Sequence, residues 1–177
     1  MKACALVIDT SYLWDFFGIP ARNSEEPEVA RLERQNKMRL KFSAAVKGEA
    51  RLYVPYCVIF ETANAIAHIK DDELRKVSSH SLIKLIEPSI RDGKPWIVAP
   101  VKGTYLEKEH LLRLCDKFRH SSVNRIGLTD VAIMDEAERL KSKYAIENRH
   151  VHIWTADVQL KKEQPDKESN GCPCYKE

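Results

Sequence analysis

Four short apolar runs along the chain predict the strands of a buried sheet. The first is Cys4–Ile8, in which Ala5-Leu6-Val7-Ile8 contains no polar residue. A run without polar alternation is typical of a strand buried on both faces, as in a parallel sheet. The other predicted strands are Arg51–Val54, Trp96–Ala99 and Val151–Thr155. Each run is far too short to cross a membrane.

The segments between these strands have helical patterns. The predicted helices are Tyr12–Phe17, Glu28–Val46, Cys57–Ile66, Asp71–Ile90 (as one helix or two), Tyr105–Arg119 and Asp130–Tyr144. In the last helix, Thr129 is the expected N-cap and the buried stripe is Ile133, Ala137, Leu140 and Tyr144. In the preceding helix, the expected core residues are Leu106, Leu111, Leu112, Leu114 and Phe118. Strands that alternate with helices predict an α/β fold with a central parallel sheet covered on both faces.

Length and composition indicate one globular domain followed by a charged tail. The chain has 177 residues, of which 44% are hydrophobic and 31% are charged. We assign residues 1–160 to the domain and expect residues 161–177, which are charged and contain Pro, Ser and Gly, to form a mobile tail. The net charge of +3 is too small to indicate a nucleic-acid partner by itself.

The cysteines bear on the cellular compartment. There are five, an odd number, and Cys4 lies in a predicted buried strand. Together with the lack of a signal peptide pattern, this predicts reduced thiols in a cytoplasmic protein that does not contact membranes. Cys172 and Cys174 form a close pair in the predicted tail. A zinc site needs about four ligands, so we expect no metal role for this pair.

Four acidic residues are expected at one edge of the sheet. Asp9 and Asp157 end or follow strands, whereas Glu61 and Asp130 lie near the starts of helices that begin at that edge. Two carboxylates ~4 Å apart repel by about 4 kcal/mol at an effective dielectric near 20, and Lys161 is the one basic residue beside them. Mg²⁺ or Mn²⁺ balances such charge and supports phosphoryl chemistry. The alternative is that these acids are helix caps or surface charges.

Short motifs around the acids resemble those of one nuclease family. The motifs are Val7-Ile8-Asp9-Thr10-Ser11, Phe60-Glu61-Thr62-Ala63-Asn64, Gly127-Leu128-Thr129-Asp130-Val131-Ala132-Ile133 and Trp154-Thr155-Ala156-Asp157. In this order, over residues 1–160, they resemble the PIN-domain nucleases, in particular the VapC-type toxin ribonucleases of toxin–antitoxin pairs. The resemblance implies a three-layer α/β/α PIN-like fold. It also implies that the protein is a hydrolase, an endonuclease that cleaves single-stranded RNA with Mg²⁺ or Mn²⁺.

The same resemblance implies roles for individual residues. The metal ligands, which are also the catalytic residues, would be Asp9, Glu61, Asp130 and Asp157. Residues that support the site would be Thr10, Ser11 and Thr155, through their hydroxyls. Asn64 follows Glu61 at helical spacing and is a further supporting candidate. The partners implied are a single-stranded RNA substrate, an antitoxin protein and a second copy in a homodimer.

A basic face on the predicted helix Glu28–Val46 is a candidate for contact with RNA. Its residues are Arg31, Arg34, Lys37, Arg39 and Lys41. Lys161, which lies outside this helix, is a further candidate for contact with RNA. The simpler interpretation is a solvated helix surface, because that is what most runs of charge are.

Other functions stay open at this stage. A PIN-like scaffold would bind RNA or protein without cutting, and an RNA-processing PIN nuclease would act within a larger complex. Phosphatases of the haloacid dehalogenase type also place a nucleophilic Asp at the end of the first strand. That family carries a second Asp two residues later, where this chain has Ser11.

Overall fold

The structure, a computed structural model, describes residues 4–20, 26–99, 108–121, 126–147 and 149–167. Leu106, Cys172, Cys174 and the part of the predicted tail from residue 168 lie outside these ranges. Within them, no helix is both long enough and apolar enough to cross a membrane.

The described residues form four strands and seven helices that alternate along the chain. The strands are β1 Cys4–Ile8, β2 Arg51–Pro55, β3 Ile97–Ala99 and β4 His150–Trp154. The helices are α1 Thr10–Phe17, α2 Glu28–Lys47, α3 Tyr56–Ala67, α4 Asp72–Asp92, α5 Lys108–Ser121, α6 Leu128–Lys143 and α7 Val158–Lys162. The predicted strands and helices therefore occur, with ends that differ by a few residues, and Asp71–Ile90 corresponds to one helix. The predicted start of α5 at Tyr105 lies outside the described residues.

All four strands are parallel and lie in the order β3-β2-β1-β4. The first strand is central: Ala5 lies opposite Arg51 of β2, and Cys4 lies opposite His150 of β4. Every residue of β1 is buried, which explains why the strand contains no polar residue. The predicted α/β class with a parallel sheet is confirmed. Because the strands are parallel, their carboxyl ends meet at one edge, which is where Asp9 follows β1.

Helices flank the sheet and bury large aromatic side chains against it. α1 packs on α2, α5 packs on α6, and α6 contacts β1 and β4. In β4, the ring of Trp154 stacks on Tyr12 of α1 with centroids 5.2 Å apart, and its centroid is 4.8 Å from that of Phe42 in α2. The central strands and the first two helices thus share one core, next to the edge that carries Asp9.

The predicted core of α5 is partly wrong. Leu111 and Leu112 are exposed, whereas Leu114 is buried in a small cluster with Val131 and Ala132 of α6. The physical reason is that α5 packs on α6 through one narrow face. Leucines on the other faces of α5 therefore remain in contact with solvent.

The first residues of the predicted tail belong to the folded part of the chain. Residues up to Lys162 complete α7, and Asp166 accepts a hydrogen bond from the N–H of Val151 at 2.8 Å. Asp166 also pairs with Lys141 of α6. The expected mobility therefore stays a prediction for residues 168–177, which lie outside the described residues.

Candidate functional site

Asp9 lies at the end of β1 among several hydrogen-bond donors. Its Oδ1 accepts from the N–H of Thr10 at 2.6 Å, and its Oδ2 accepts from the hydroxyls of Ser11 and Thr155, each at 2.7 Å. The N–H of Asp9 donates to the carbonyl oxygen of Trp154 at 3.1 Å. Asp9 is only 6% exposed, and a buried carboxylate needs such bonds in place of water. Both carboxylate oxygens are therefore fixed in direction.

Thr155 connects Asp9 to a second acid, Asp157. The hydroxyl of Thr155 accepts from the N–H of Asp157 at 2.9 Å while it donates to Asp9. Asp157 is exposed and is the N-cap of α7, where its Oδ1 accepts from the N–H groups of Gln159 at 2.7 Å and Leu160 at 3.2 Å. One buried hydroxyl thus couples the ends of β1 and β4.

Glu61 reaches the same edge of the sheet from α3. Its Oε2 accepts a hydrogen bond from the hydroxyl of Thr10 at 2.8 Å. Thr10 therefore contacts Asp9 through its backbone and Glu61 through its side chain. Glu61 itself is exposed, so the carboxylate is accessible to a ligand from solvent.

Asp130 lies in the first turn of α6, and the charges of the other three acids affect its pKa. Burial raises the pKa of the Asp130 carboxyl above its ordinary value, and the charges of Asp9, Asp157 and Glu61 raise it further. A hydrogen bond from the N–H of Gly127, at 2.8 Å, opposes these effects. Carboxylates from three other segments of the chain therefore act electrostatically on Asp130.

The same hydrogen bond explains why the predicted start of α6 is wrong. Gly127, not Thr129, is the N-cap, and its N–H is bonded to the side chain of Asp130. An acid at the third position of a helix can accept a hydrogen bond from the N–H of the N-cap residue, and this contact favours Gly127 as the N-cap. Asp130 therefore has a local structural role in addition to its place at the sheet edge.

Cys57 is a neighbour of the acids that the sequence analysis missed. Burial raises the pKa of its thiol to about 11, with smaller contributions from the charges of Glu61 and Asp9. The signal available in the sequence was the spacing of four residues between Cys57 and Glu61, which places both on one side of α3. The thiol supplies no charge to the site, since it is protonated near neutral pH.

Two of the acids also act as helix caps, and the described acids are not arranged around one metal position. Asp9 and Asp157 are the N-caps of α1 and α7, so the capping alternative holds for both. Over the described ranges, no three His, Cys, Asp or Glu side chains lie close enough together to hold a metal ion as they stand. A cation shared by three of the acids would therefore require rotation of side chains. Glu61 and Asp157, which are exposed, have the most freedom to rotate.

The ion pairs between described residues involve other acids. Among them, Asp15 pairs with Arg34, Asp135 with Lys117, and Glu136 with Arg139. Lys161, the basic residue expected beside the acids, donates from Nζ to the carbonyl oxygen of Ile153 at 2.8 Å. It is thus tied to the backbone of β4.

Asn64 lies on the predicted stripe of α3 but outside the hydrogen-bond network of the acids. It is exposed, and its backbone carbonyl accepts from Nδ1 of His68 at 2.7 Å. In the part of the chain that the structure describes, no hydrogen bond joins its side chain to the four acids. The structure therefore brings Thr10, Ser11 and Thr155 to the acids, but not Asn64.

The predicted basic face of α2 divides into two groups. Arg34 donates to the side chains of Asp15 and Glu26 and to the carbonyl oxygen of Ile19. Arg31 donates to the carbonyl oxygen of Gly18 at 3.2 Å. These two arginines hold α2 against the end of α1. The remaining basic residues are the exposed Lys37 and Arg39 and the half-buried Lys41.

Comparisons of the chain with protein-family models, with characterised proteins and with solved structures find no match in any of the three. The resemblance to PIN-domain nucleases therefore stays a prediction from four short motifs.

Proposed function

We propose that this protein is an endoribonuclease with a three-layer, PIN-like α/β/α fold that cleaves single-stranded RNA with Mg²⁺ or Mn²⁺. The observation that carries the proposal is the hydrogen-bond network at the carboxyl edge of the sheet, in which Ser11 and Thr155 donate to Asp9 and Thr10 donates to Glu61. Acids held in this way at the carboxyl edge of a parallel sheet are typical of functional sites, and the raised pKa of Asp130 supports this interpretation.

The donor atoms of the four acids are of the kind that a hard divalent cation prefers, although a shared ion would require side chains to rotate. Asp9, Glu61, Asp130 and Asp157 offer only oxygen atoms, which Mg²⁺ and Mn²⁺ prefer. The repulsion that contributes to the raised pKa of Asp130 is an energetic cost that a divalent cation relieves. When bound, such an ion lowers the pKa of a water molecule and stabilises negative charge on a phosphate.

Neighbouring hydroxyls would position these acids. Ser11 and Thr155 fix one oxygen of Asp9, and Thr10 fixes one oxygen of Glu61. Partners of this kind orient the groups that bind a ligand, and their loss typically lowers metal affinity or activity by about 10- to 100-fold. Ser11 also accepts a hydrogen bond from the N–H of Ala156 at 3.2 Å, which ties it to the end of β4.

Cleavage of single-stranded RNA tests the proposal directly. We expect the protein to cleave a labelled RNA in Mn²⁺ and to lose this activity in EDTA. Asp9→Asn keeps the size of the side chain and removes its charge, so we expect at least about a 100-fold loss of rate. Glu33→Gln, a change of an exposed acid on α2, is the matched control and should retain activity. Equal cleavage by Asp9→Asn and wild type, or no cleavage by wild type in Mn²⁺, would contradict the proposal.

Thermal unfolding tests metal binding without a substrate. A ligand that binds only the folded state at a hundredfold excess over its Kd stabilises it by about 2.7 kcal/mol. For a domain of this size, this corresponds to an increase in Tm of about 5–11 °C. We expect Mn²⁺ to raise the Tm of wild type by several degrees and to have little effect on Asp9→Asn.

A PIN-like scaffold that binds RNA or protein without cutting is the second candidate. Two findings favour it: the described acids are not arranged around one metal position, and two of them cap helices. RNA binding without cleavage and without a change of Tm in Mn²⁺ would support this alternative.

The biological setting is part of the proposal only through the family resemblance. A toxin would act in the cytoplasm as a homodimer held by an antitoxin protein, whereas an RNA-processing nuclease would act within a larger complex. Val29 and Leu40 are exposed apolar residues on α2 that a protein partner would cover. The molar mass in solution, measured by light scattering, separates monomer from homodimer.

A further inference from the structure

Two exposed aromatic side chains lie on α3, the helix that carries Glu61. Phe60 is 70% exposed and Tyr56 is 38% exposed. Residues four apart lie on the same face of a helix, so the two side chains project from one face of α3. We call Tyr56 and Phe60 the aromatic pair. Exposed aromatic rings are the surface on which the bases of single-stranded nucleic acids stack.

A positively charged pocket adjoins the aromatic pair. Its volume is about 570 Å³, and among the described residues its lining includes Tyr56, the cations Arg51, Arg91 and Lys143, and the acid Asp92. A pocket of this volume is within the range of small-molecule sites. We call it the basic pocket. Three cations and one acid give it the charge that a phosphate group requires.

Two cations of the basic pocket are positioned by a tyrosine. Nη1 of Arg51 donates to the hydroxyl of Tyr144 at 2.9 Å, and the guanidinium carbon lies 5.5 Å from the centre of that ring. Nζ of Lys143 is also 5.5 Å from the ring centre. The hydroxyl of Tyr144 is in turn hydrogen-bonded to that of Tyr53, which is buried and lines the pocket. The positive charge is therefore held in place by the fold.

We propose that the aromatic pair and the basic pocket together bind single-stranded RNA. Bases stack on Phe60 and Tyr56, and a backbone phosphate enters the basic pocket. This inference rests on the proposed function, because it takes the proposed substrate, single-stranded RNA, as the ligand. The charge of the pocket favours RNA over a purely apolar protein segment, which would leave the cations without a counter-charge.

RNA affinity of Phe60 variants, measured in EDTA so that no cleavage occurs, tests the stacking. Phe60→Leu removes the ring and keeps an apolar side chain that suits a helix. We expect its Kd for a labelled single-stranded RNA to increase about 5- to 150-fold, which corresponds to ~1–3 kcal/mol for one stacked base. Phe60→Trp retains a ring and should bind as tightly as wild type. Val77→Ala changes a residue that is 59% exposed on α4, and it should have no effect.

The salt dependence of the same affinity tests the phosphate contact. For single strands, each phosphate contact contributes about −0.7 to the slope of log K against log salt concentration. Arg91→Gln and Lys143→Gln should each make the slope less steep by about that amount if the residue contacts a phosphate. Lys76→Gln, on an exposed part of α4, is the matched control. Slopes that equal that of wild type for both pocket variants would overturn the assignment of the basic pocket.

Failure of this inference can be distinguished from failure of the proposed function. If wild type cleaves RNA but Phe60→Leu binds RNA as tightly as wild type, the aromatic pair is not the RNA surface and the nuclease proposal remains. If wild type binds RNA through Phe60 but never cleaves it, the inference stands and the nuclease proposal fails. If Phe60→Leu changes the molar mass in solution and leaves RNA affinity intact, the surface is a protein contact and the inference is overturned. Circular dichroism of each variant verifies its fold.

Discussion

Replacing Thr155 with Val removes one hydroxyl and keeps the shape of the side chain. The hydroxyl is buried, donates to Oδ2 of Asp9 at 2.7 Å and accepts from the N–H of Asp157 at 2.9 Å. The change to Val therefore removes one of the two hydrogen-bond donors to a carboxylate oxygen of Asp9 that is largely shielded from water. It also leaves the N–H of Asp157 without its partner. Both effects destabilise the folded state.

The size of the loss follows from the two bonds. A hydrogen bond to a charged group contributes ~1.5–3 kcal/mol, and a bond between neutral groups contributes ~0.5–1.5 kcal/mol. Because Asp157 is exposed, water can replace part of the second contribution. We therefore expect a loss of about 2–3 kcal/mol in the free energy of unfolding. For a domain of this size, the Tm should fall by about 4–12 °C.

Thermal unfolding followed by circular dichroism in EDTA measures this effect without any assumption about function. Thr155→Ser is the matched control, because it keeps the hydroxyl and loses only a methyl group. It should lose about 1 kcal/mol, and so clearly less than Thr155→Val. The reasoning is refuted if Thr155→Val unfolds at the temperature of wild type, or if Thr155→Ser unfolds at as low a temperature as Thr155→Val.

Two further predictions follow from the shifted pKa values. The pKa of Asp130 is raised in the folded protein, so protonation of Asp130 favours the folded state. This stabilisation is complete at pH values below the ordinary pKa of 3.8, and it is lost as the pH rises through the raised pKa of the folded protein. Asp130→Asn keeps an acceptor for the N–H of Gly127, so its Tm at pH 7 in EDTA should be no lower than that of wild type. Any increase in Tm over wild type should disappear in acid, and a clearly lower Tm at pH 7 would count against the electrostatic argument. The pKa of Cys57 is raised to about 11, so only about 0.1% of this thiol is ionised at pH 8. Iodoacetamide at pH 8 should label the exposed Cys115 well before Cys57, as mass spectrometry of peptides can show, and the opposite order would contradict the raised pKa.

The sequence predicts features that depend on many consecutive residues. The apolar run of β1 and the stripe of α6 from Ile133 to Tyr144 are buried as expected, because burial on a sheet or helix face imposes a repeating pattern. In α5 the pattern is ambiguous. Leu111, Leu112 and Leu114 are equally apolar, and the sequence does not show which of them faces α6.

Contacts within the candidate site could not be predicted from local patterns. The bond from Thr10 to Glu61 joins residues 51 positions apart, and the bond from Thr155 to Asp9 joins residues 146 positions apart. The motifs indicate that these residues share an edge of the sheet, but not which hydroxyl serves which acid. For the same reason, the sequence does not distinguish Arg34, which holds α2 in place, from the exposed Lys37 on the same helix.

The position of β1 in the sheet has a consequence for the newly made chain. A protein is synthesised from its N-terminus, so Asp9 leaves the ribosome long before Thr155, its hydrogen-bond partner 146 residues later. The central strand likewise cannot complete its pairing until β4 has been made, because Cys4 pairs with His150. Until residue 154 has emerged the described sheet is incomplete, and until residue 157 has emerged one of the four acids is missing. Under the proposed function, a nascent chain that does not yet include residue 157 is therefore inactive.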